Sequence, residues 1–163
     1  MRAPPAAAAL LLALAAGSGG AVPDRGDRLP RVTVAVAGST VEAEVAATPA
    51  ARRRGLMGRT RLAPGRGMLF VWPEPGQRWF WMKDTRIPLS VAFLDTSGRI
   101  LNIERMAPLR REPRHPSRGP ARFALEVPRG WFRARGITPG DRCRFRLPAD
   151  LAPGGRPLEV GTP

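Results

Sequence analysis

The sequence predicts a mainly β domain, compact and barrel-like or a sandwich, built from about eight short strands with one or two short helices. Three observations support this. Several segments alternate apolar and polar residues with a period of two. The chain carries 18 Gly and 19 Pro, more turn formers than a helical bundle tolerates. Its 163 residues, 43% hydrophobic and 25% charged, suit one globular domain with tails. The expected division is a signal peptide at 1–21, a linker at 22–30, a single domain at 31–148 and a disordered tail at 149–163.

The elements follow in order. Val32, Val34 and Val36 alternate with Thr33 and Ala35, a turn follows at A-G-S-T, and Val41, Ala43 and Val45 alternate with Glu42 and Glu44. This is an amphipathic hairpin. Thr48 is then a good N-cap and Pro49 a good first helical residue, so a short helix is expected that ends at Gly58 and buries Ala51, Leu56 and Met57. Two aromatic strands, 67–72 and 79–83, flank the turn P-E-P-G-Q-R. A strand pair at 89–95 and 99–106 is joined through D-T-S-G. The Pro- and Arg-rich stretch 107–120 cannot be a central strand and is expected to be a long exposed loop. At 121–127, Phe123, Leu125 and Val127 share one face and Glu126 takes the other. Residues 130–135 have room for one or two helical turns capped by a left-handed Gly136, and T-P-G-D at 138–141 fits a type II turn. The closing strand puts Cys143, Phe145 and Leu147 inward and Arg142, Arg144 and Arg146 outward. The tail has too little apolar surface to pack, so trimming it is expected to leave the melting temperature nearly unchanged.

The N-terminus has the order of a secretory signal. Arg2 precedes an 11-residue apolar stretch from Ala6 to Ala16, and small residues lead to Ala21, which predicts cleavage near Val22 and a periplasmic or secreted protein. The apolar stretch is short for a membrane span, and no Cys lies nearby to carry a lipid. A single Cys and a single His exclude an intrachain disulfide, a zinc finger and a His cluster. The net charge of +14 attracts anionic polymers and surfaces. However, 26 of the 27 basic residues are Arg and are scattered along the chain, as a GC-biased genome would produce. No zinc finger, basic zipper or RNA-binding aromatic signature is present, so nucleic acid is not an expected partner.

Six motifs in order carry a family resemblance. They are R-G-L-M at Arg54 to Met57, G-M-L-F at Gly67 to Phe70, F-W-M-K-D-T at Phe80 to Thr85, I-P-L at Ile87 to Leu89, A-L-E at Ala124 to Glu126, and G-I-x-x-G-D at Gly136 to Asp141. In order and spacing the chain resembles the domain-of-unknown-function 192 family of bacterial and archaeal proteins. The resemblance implies a compact, mainly β fold, often behind a signal peptide, with no established activity. It also marks two departures: Asp84 stands where the family usually has Asn, and Ser90 where it usually has Asp.

The residues leave three chemistries to weigh. Asp84 and Glu126 are the candidate catalytic carboxylates of a hydrolase-like enzyme, with Lys83, Arg54 and His115 as possible partners. Against that, Asp84 pairing with Lys83 or an Arg, and Glu126 tying a strand to its neighbourhood, explain both without catalysis. Met57, Met68 and Met82 fall inside the matched motifs and could offer thioethers to copper, although Met in apolar surroundings usually fills core. Cys143, alternating with Phe145 and Leu147, reads as a buried, unreactive thiol, and His115 as a solvated loop residue. The third chemistry is binding. One face of the 79–83 strand carries Trp79, Trp81, Lys83 and Thr85, the other Phe80, Met82 and Asp84. Phe80 and Met82 are expected in the core. The favoured reading is an exported, monomeric, non-catalytic domain that needs no cofactor. It binds a small-molecule or anionic envelope ligand through Arg54, Trp79, Trp81, Lys83, Asp84 and Thr85.

Overall fold

A computed structural model describes residues 29–162; the expected signal peptide and most of the linker lie outside the described residues. The fold is mainly β, as the alternation predicts. The hairpin forms from β1 (Arg31–Val36) and β2 (Ser39–Ala46), with Val34 facing Val41 and Val32 facing Ala43. Its two-residue turn is Ala37-Gly38, both at positive φ, which matches the right-handed twist of the flanking strands. Helix α1 (Pro49–Arg54) starts as expected, with the Thr48 hydroxyl accepting from the Ala51 N–H at 3.1 Å. It ends at Gly55, one turn earlier than the expected Gly58, because Gly55 takes a positive φ of 48° that breaks the helix.

Strand β3 (Arg66–Gly76) runs parallel to β2. A parallel pair needs a crossover, and α1 lies in that connection. The rest of the main sheet comprises β5 (Leu89–Leu94), β6 (Ile100–Met106), β8 (Ala121–Pro128), β9 (Cys143–Leu147) and β10 (Leu158–Val160). The order across the sheet is β10-β9-β1-β2-β3-β8-β5-β6. Its far ends approach each other. Cys143 N–H donates to Gly98 O at 2.8 Å, Ile100 N–H to Asp141 O at 2.8 Å, and Gly140 N–H to Ile100 O at 2.9 Å, so the sheet rolls toward a barrel.

Register then divides the buried apolar side chains between two cores. Val34, Val41, Val45, Leu69, Leu125 and Leu94 belong to the core inside the roll, which also holds Trp131, Phe132 and Ile137. Met68, Phe70, Val91, Phe93 and Ala124 point to the opposite face and pack with Leu56, Phe80 and Met82. Phe80 is the keystone there, edge-on to Phe70 at 4.8 Å and to Phe93 at 5.4 Å between ring centroids. Glu126 projects to the same face, since it sits opposite Met68 on β3 and Val91 on β5.

Three local expectations are corrected. The tail at 149–163 was expected to be disordered. Instead β10 pairs with β9, Val160 facing Phe145, and buries Val160 and Ala152. The alternation of Leu158 and Val160 about Glu159 is a three-residue strand signal hidden in a Pro/Gly-rich context. The strand expected at 79–83 shortens to β4 (Trp79–Phe80). Met82 N–H turns to Arg110 O at 2.7 Å and Asp84 adopts a positive φ of 53°, so the period-two alternation stops and Thr85 becomes buried while Asp84 is exposed. The loop 107–120 is largely exposed but folds back, and its β7 (His115–Pro116) pairs with β4, leaving His115 half-buried opposite Phe80. A smaller difference is that β3 runs on through Pro73, Glu74 and Pro75 to Gly76, where a turn was expected, and that Met57 is only half-buried. A 3-10 turn at Arg133–Arg135 is capped by a left-handed Gly136, Gly140 takes positive φ in T-P-G-D, and β9 alternates strictly between buried and exposed residues.

Candidate functional site

Trp79 and Trp81 are 58% and 43% exposed while Phe80 between them is buried. Their rings line a cleft of about 690 Å³ between the β4 segment, the C-terminal end of α1 and the returning loop, within the size range of ligand sites. Cations ring the cleft. Lys83 Nζ stands 5.9 Å and the Arg114 guanidinium 6.0 Å from the Trp81 ring centroid. Arg52 and Arg78 lie 5.8 and 4.7 Å from the Trp72 ring. Arg52 is also anchored, donating to Val71 O at 2.8 Å and to Ala47 O. Burial, with Arg53 beside it, moves its guanidinium down from the ordinary value, without neutralising a group that basic.

A narrower chamber of about 90 Å³ opens beneath, sharing Arg52, Arg53, Trp79 and Trp81 with the cleft and reaching Arg54, Leu56, Phe70, Thr85 and Glu126. Glu126 is only 4% exposed and makes no hydrogen bond or ion pair among the described residues. Burial pushes its carboxyl up to about 8, which favours the protonated form, one able to donate a hydrogen bond.

The structure therefore brings together Arg54, Trp79, Trp81, Thr85 and Glu126, with Lys83 at the mouth. It does not bring in Asp84, whose side chain is 62% exposed, pairs with Lys83 at 3.9 Å and lines neither chamber. Ser90 belongs to the other face of the sheet, opposite Val127, and its hydroxyl accepts from the Gly130 N–H at 3.3 Å. Asp84, Ser90 and Glu126 do not share a cleft. Met57 lines the cleft, whereas Met68 and Met82 are sealed in the outer core. No group of three His, Cys, Asp or Glu able to hold a metal occurs among the described residues. Cys143 is buried, and burial with Asp141 nearby raises its thiol to about 12.

Sequence reasoning did not place Arg52, Arg53, Trp72 or Arg114 in the site. Trp72 carries a signal, since it ends the G-M-L-F-V-W strand two residues beyond Phe70. Arg114 carries none, because only the fold-back of its loop brings it to Trp81. The cleft and the chamber under it offer aromatic faces for a ring, cations for an anion, and one buried carboxyl, that of Glu126.

The family model DUF192, described as Uncharacterized ACR, matches residues 32–145. A solved protein of Sinorhizobium meliloti 1021, described as a "putative transcription regulator", is 34% identical with a TM-score of 0.69, over 73% of this chain and 96% of its own. A solved protein of unknown function from Novosphingobium aromaticivorans DSM 12444 is 33% identical with a TM-score of 0.68, over 83% of this chain and 99% of its own. Among curated proteins none matches the chain.

Proposed function

This chain belongs to the domain-of-unknown-function 192 family, and from that premise we propose that it is an exported, non-catalytic binding domain for an anionic ligand of the cell envelope. The observation that carries this reading is the cleft itself: two exposed tryptophans in one wall with Arg52, Arg53, Lys83 and Arg114 around them. Tryptophan is costly to expose and is enriched where an apolar ring meets a wet surface. Cations beside such rings are held where they favour a negatively charged, ring-bearing partner. The +14 charge draws polyanions toward the surface, and the expected export signal would bring the domain to them.

The test is a titration of the purified protein with polygalacturonate and with lipoteichoic acid, dextran serving as the neutral control, followed by tryptophan emission. Binding of at least one polyanion but not dextran is expected, weakening as salt rises because exposed contacts are screened. Trp81→Ala and Lys83→Ala each weaken it about tenfold, the equivalent of about 1.4 kcal/mol. Equal binding of dextran, or salt-independent affinity, or no binding of either polyanion overturns the reading.

A further inference from the structure

Glu126 is the one acid in the floor of a site otherwise ringed by cations, and its surroundings constrain what can meet it. The chamber holds about 90 Å³, room for roughly three water-sized groups, so a sugar ring stays above it among the tryptophans. Its walls combine apolar surface (Leu56, Phe70 and Phe80) with Thr85, Glu126 and the three arginines of α1, Arg52, Arg53 and Arg54. The Thr85 hydroxyl is committed, donating to Lys83 O at 3.2 Å. The Glu126 carboxyl is committed to nothing among the described residues. It lines the chamber, so a small group that enters there can meet it. A group that fits is small, with an apolar side for Leu56, Phe70 and Phe80 and an acceptor for Glu126.

Resting on the binding function proposed above, we propose that this chamber is an acetyl subsite, in which the Glu126 carboxyl donates a hydrogen bond to the acyl oxygen while the methyl packs on Phe70 and Phe80. The ligand class is then an acidic N-acetylated sugar: its ring lies on Trp79 and Trp81, its anion sits among Arg52, Arg53 and Arg114, and its acetyl group points down. The charged groups facing the chamber are Arg52, Arg53 and Arg54, all from α1; β3 and β5 present Met68, Phe70 and Val91. Arg stays protonated throughout the accessible range. His115 pairs with Phe80 but does not line the chamber. Glu126 is therefore the group whose proton controls the subsite, and the donor is lost as pH rises past about 8.

The experiment compares N-acetylmuramate with glucuronate, an acidic sugar without the acetyl group, by tryptophan emission across a pH series from mildly acidic to alkaline. Wild type is expected to prefer N-acetylmuramate at least tenfold at neutral pH and to lose that preference above about 8. Glu126→Gln keeps an N–H donor at every pH, so it retains the preference without the alkaline loss. Glu126→Leu removes the donor at similar size, so it loses the preference at every pH yet still binds the polyanions with salt-sensitive affinity. Equal affinity of wild type for the two sugars, or an undiminished preference in Glu126→Leu, overturns the subsite and leaves the polyanion reading standing. Loss of salt-sensitive polyanion binding in wild type overturns that reading separately. If Glu126→Leu fails to fold, as its circular dichroism would reveal, the wild-type comparison and Glu126→Gln decide the question alone.

Discussion

Glu126 couples the site to stability through its proton. Its carboxyl is raised from 4.5 to about 8 by burial, so between those values the folded protein holds a proton that the unfolded chain has released. Stability contributed by the neutral form is complete below about 4.5 and declines as pH rises toward about 8, where the folded state ionises too. Glu126→Gln, which has no such proton, is expected to be more stable than wild type at neutral pH. The gap should widen up to about 8 and then level off, reaching on the order of a few kcal/mol. Urea unfolding of both proteins across that range measures it, and parallel curves would contradict it. The aromatic residues next to the site divide just as clearly. Phe80 contacts Phe70 and Phe93 inside the outer core, so Phe80→Ala costs about 3–5 kcal/mol. Trp79 is mostly exposed, so Trp79→Ala stays within about 1 kcal/mol. Similar unfolding midpoints for the two variants would refute that division.

At the scale of elements, α1 and the segment after it form one wall of the site, and an ion pair ties that wall to the sheet. Arg59 meets the Glu44 carboxylate on β2 with both arms, at 2.9 and 2.5 Å. The Arg59 hydrogen bond holds the Glu44 carboxyl below its ordinary value. This contribution is present above the unfolded value of 4.5 and disappears as pH falls through the lower folded value. Arg59→Ala is expected to cost about 1 kcal/mol at neutral pH, discounted because the pair is only partly shielded from solvent, and to cost nothing measurable in strong acid. A pH-independent cost would show that Arg59 acts through packing alone. The same elements show what was legible in the sequence. Strict alternation made β1, β2 and β9 readable, because a half-buried strand writes its two faces into its residues. The helix start was readable from Thr48 and Pro49. The end of β4 was not, because a backbone turn at Met82 to Thr85, held by Arg110 O, overrides a pattern that continues in the residues. In the site, Trp79, Trp81 and Lys83 were legible as an aromatic and charged face. Arg52, Arg53 and Arg114 reach it only through the crossover helix and the returning loop, contacts that no local spacing encodes.

Over the whole molecule, the C-terminal segment bears on how the sheet is closed. Two glycines flank the Cys143 carbonyl: a Cβ on Gly98 would lie 2.4 Å from that oxygen and one on Gly161 2.1 Å, and both residues hold positive φ. The 98 turn and the end of β10 thus converge on the first residue of β9, where the rolled sheet meets itself. β10 covers the outer edge of β9 through Leu158, Glu159 and Val160, an edge that would otherwise present unpaired N–H and C=O groups to other chains. Removing residues 149–163 takes away the buried Val160 and Ala152 and bares that edge. The Arg146–Glu159 pair, exposed on both sides, adds little. Burial of one Val side chain is worth about 1.5–3 kcal/mol, so the truncated chain is expected to melt on the order of 5–10 °C lower. It should also self-associate with rising concentration. Gly161→Ala in the full chain should move the melting temperature in the same direction, by forcing strain into the same junction. Calorimetry and light scattering on the full chain, the truncation and Gly161→Ala provide the measurement. A truncated chain that melts with the full protein and self-associates no more than it does would mean that β10 is carried by the barrel without supporting it.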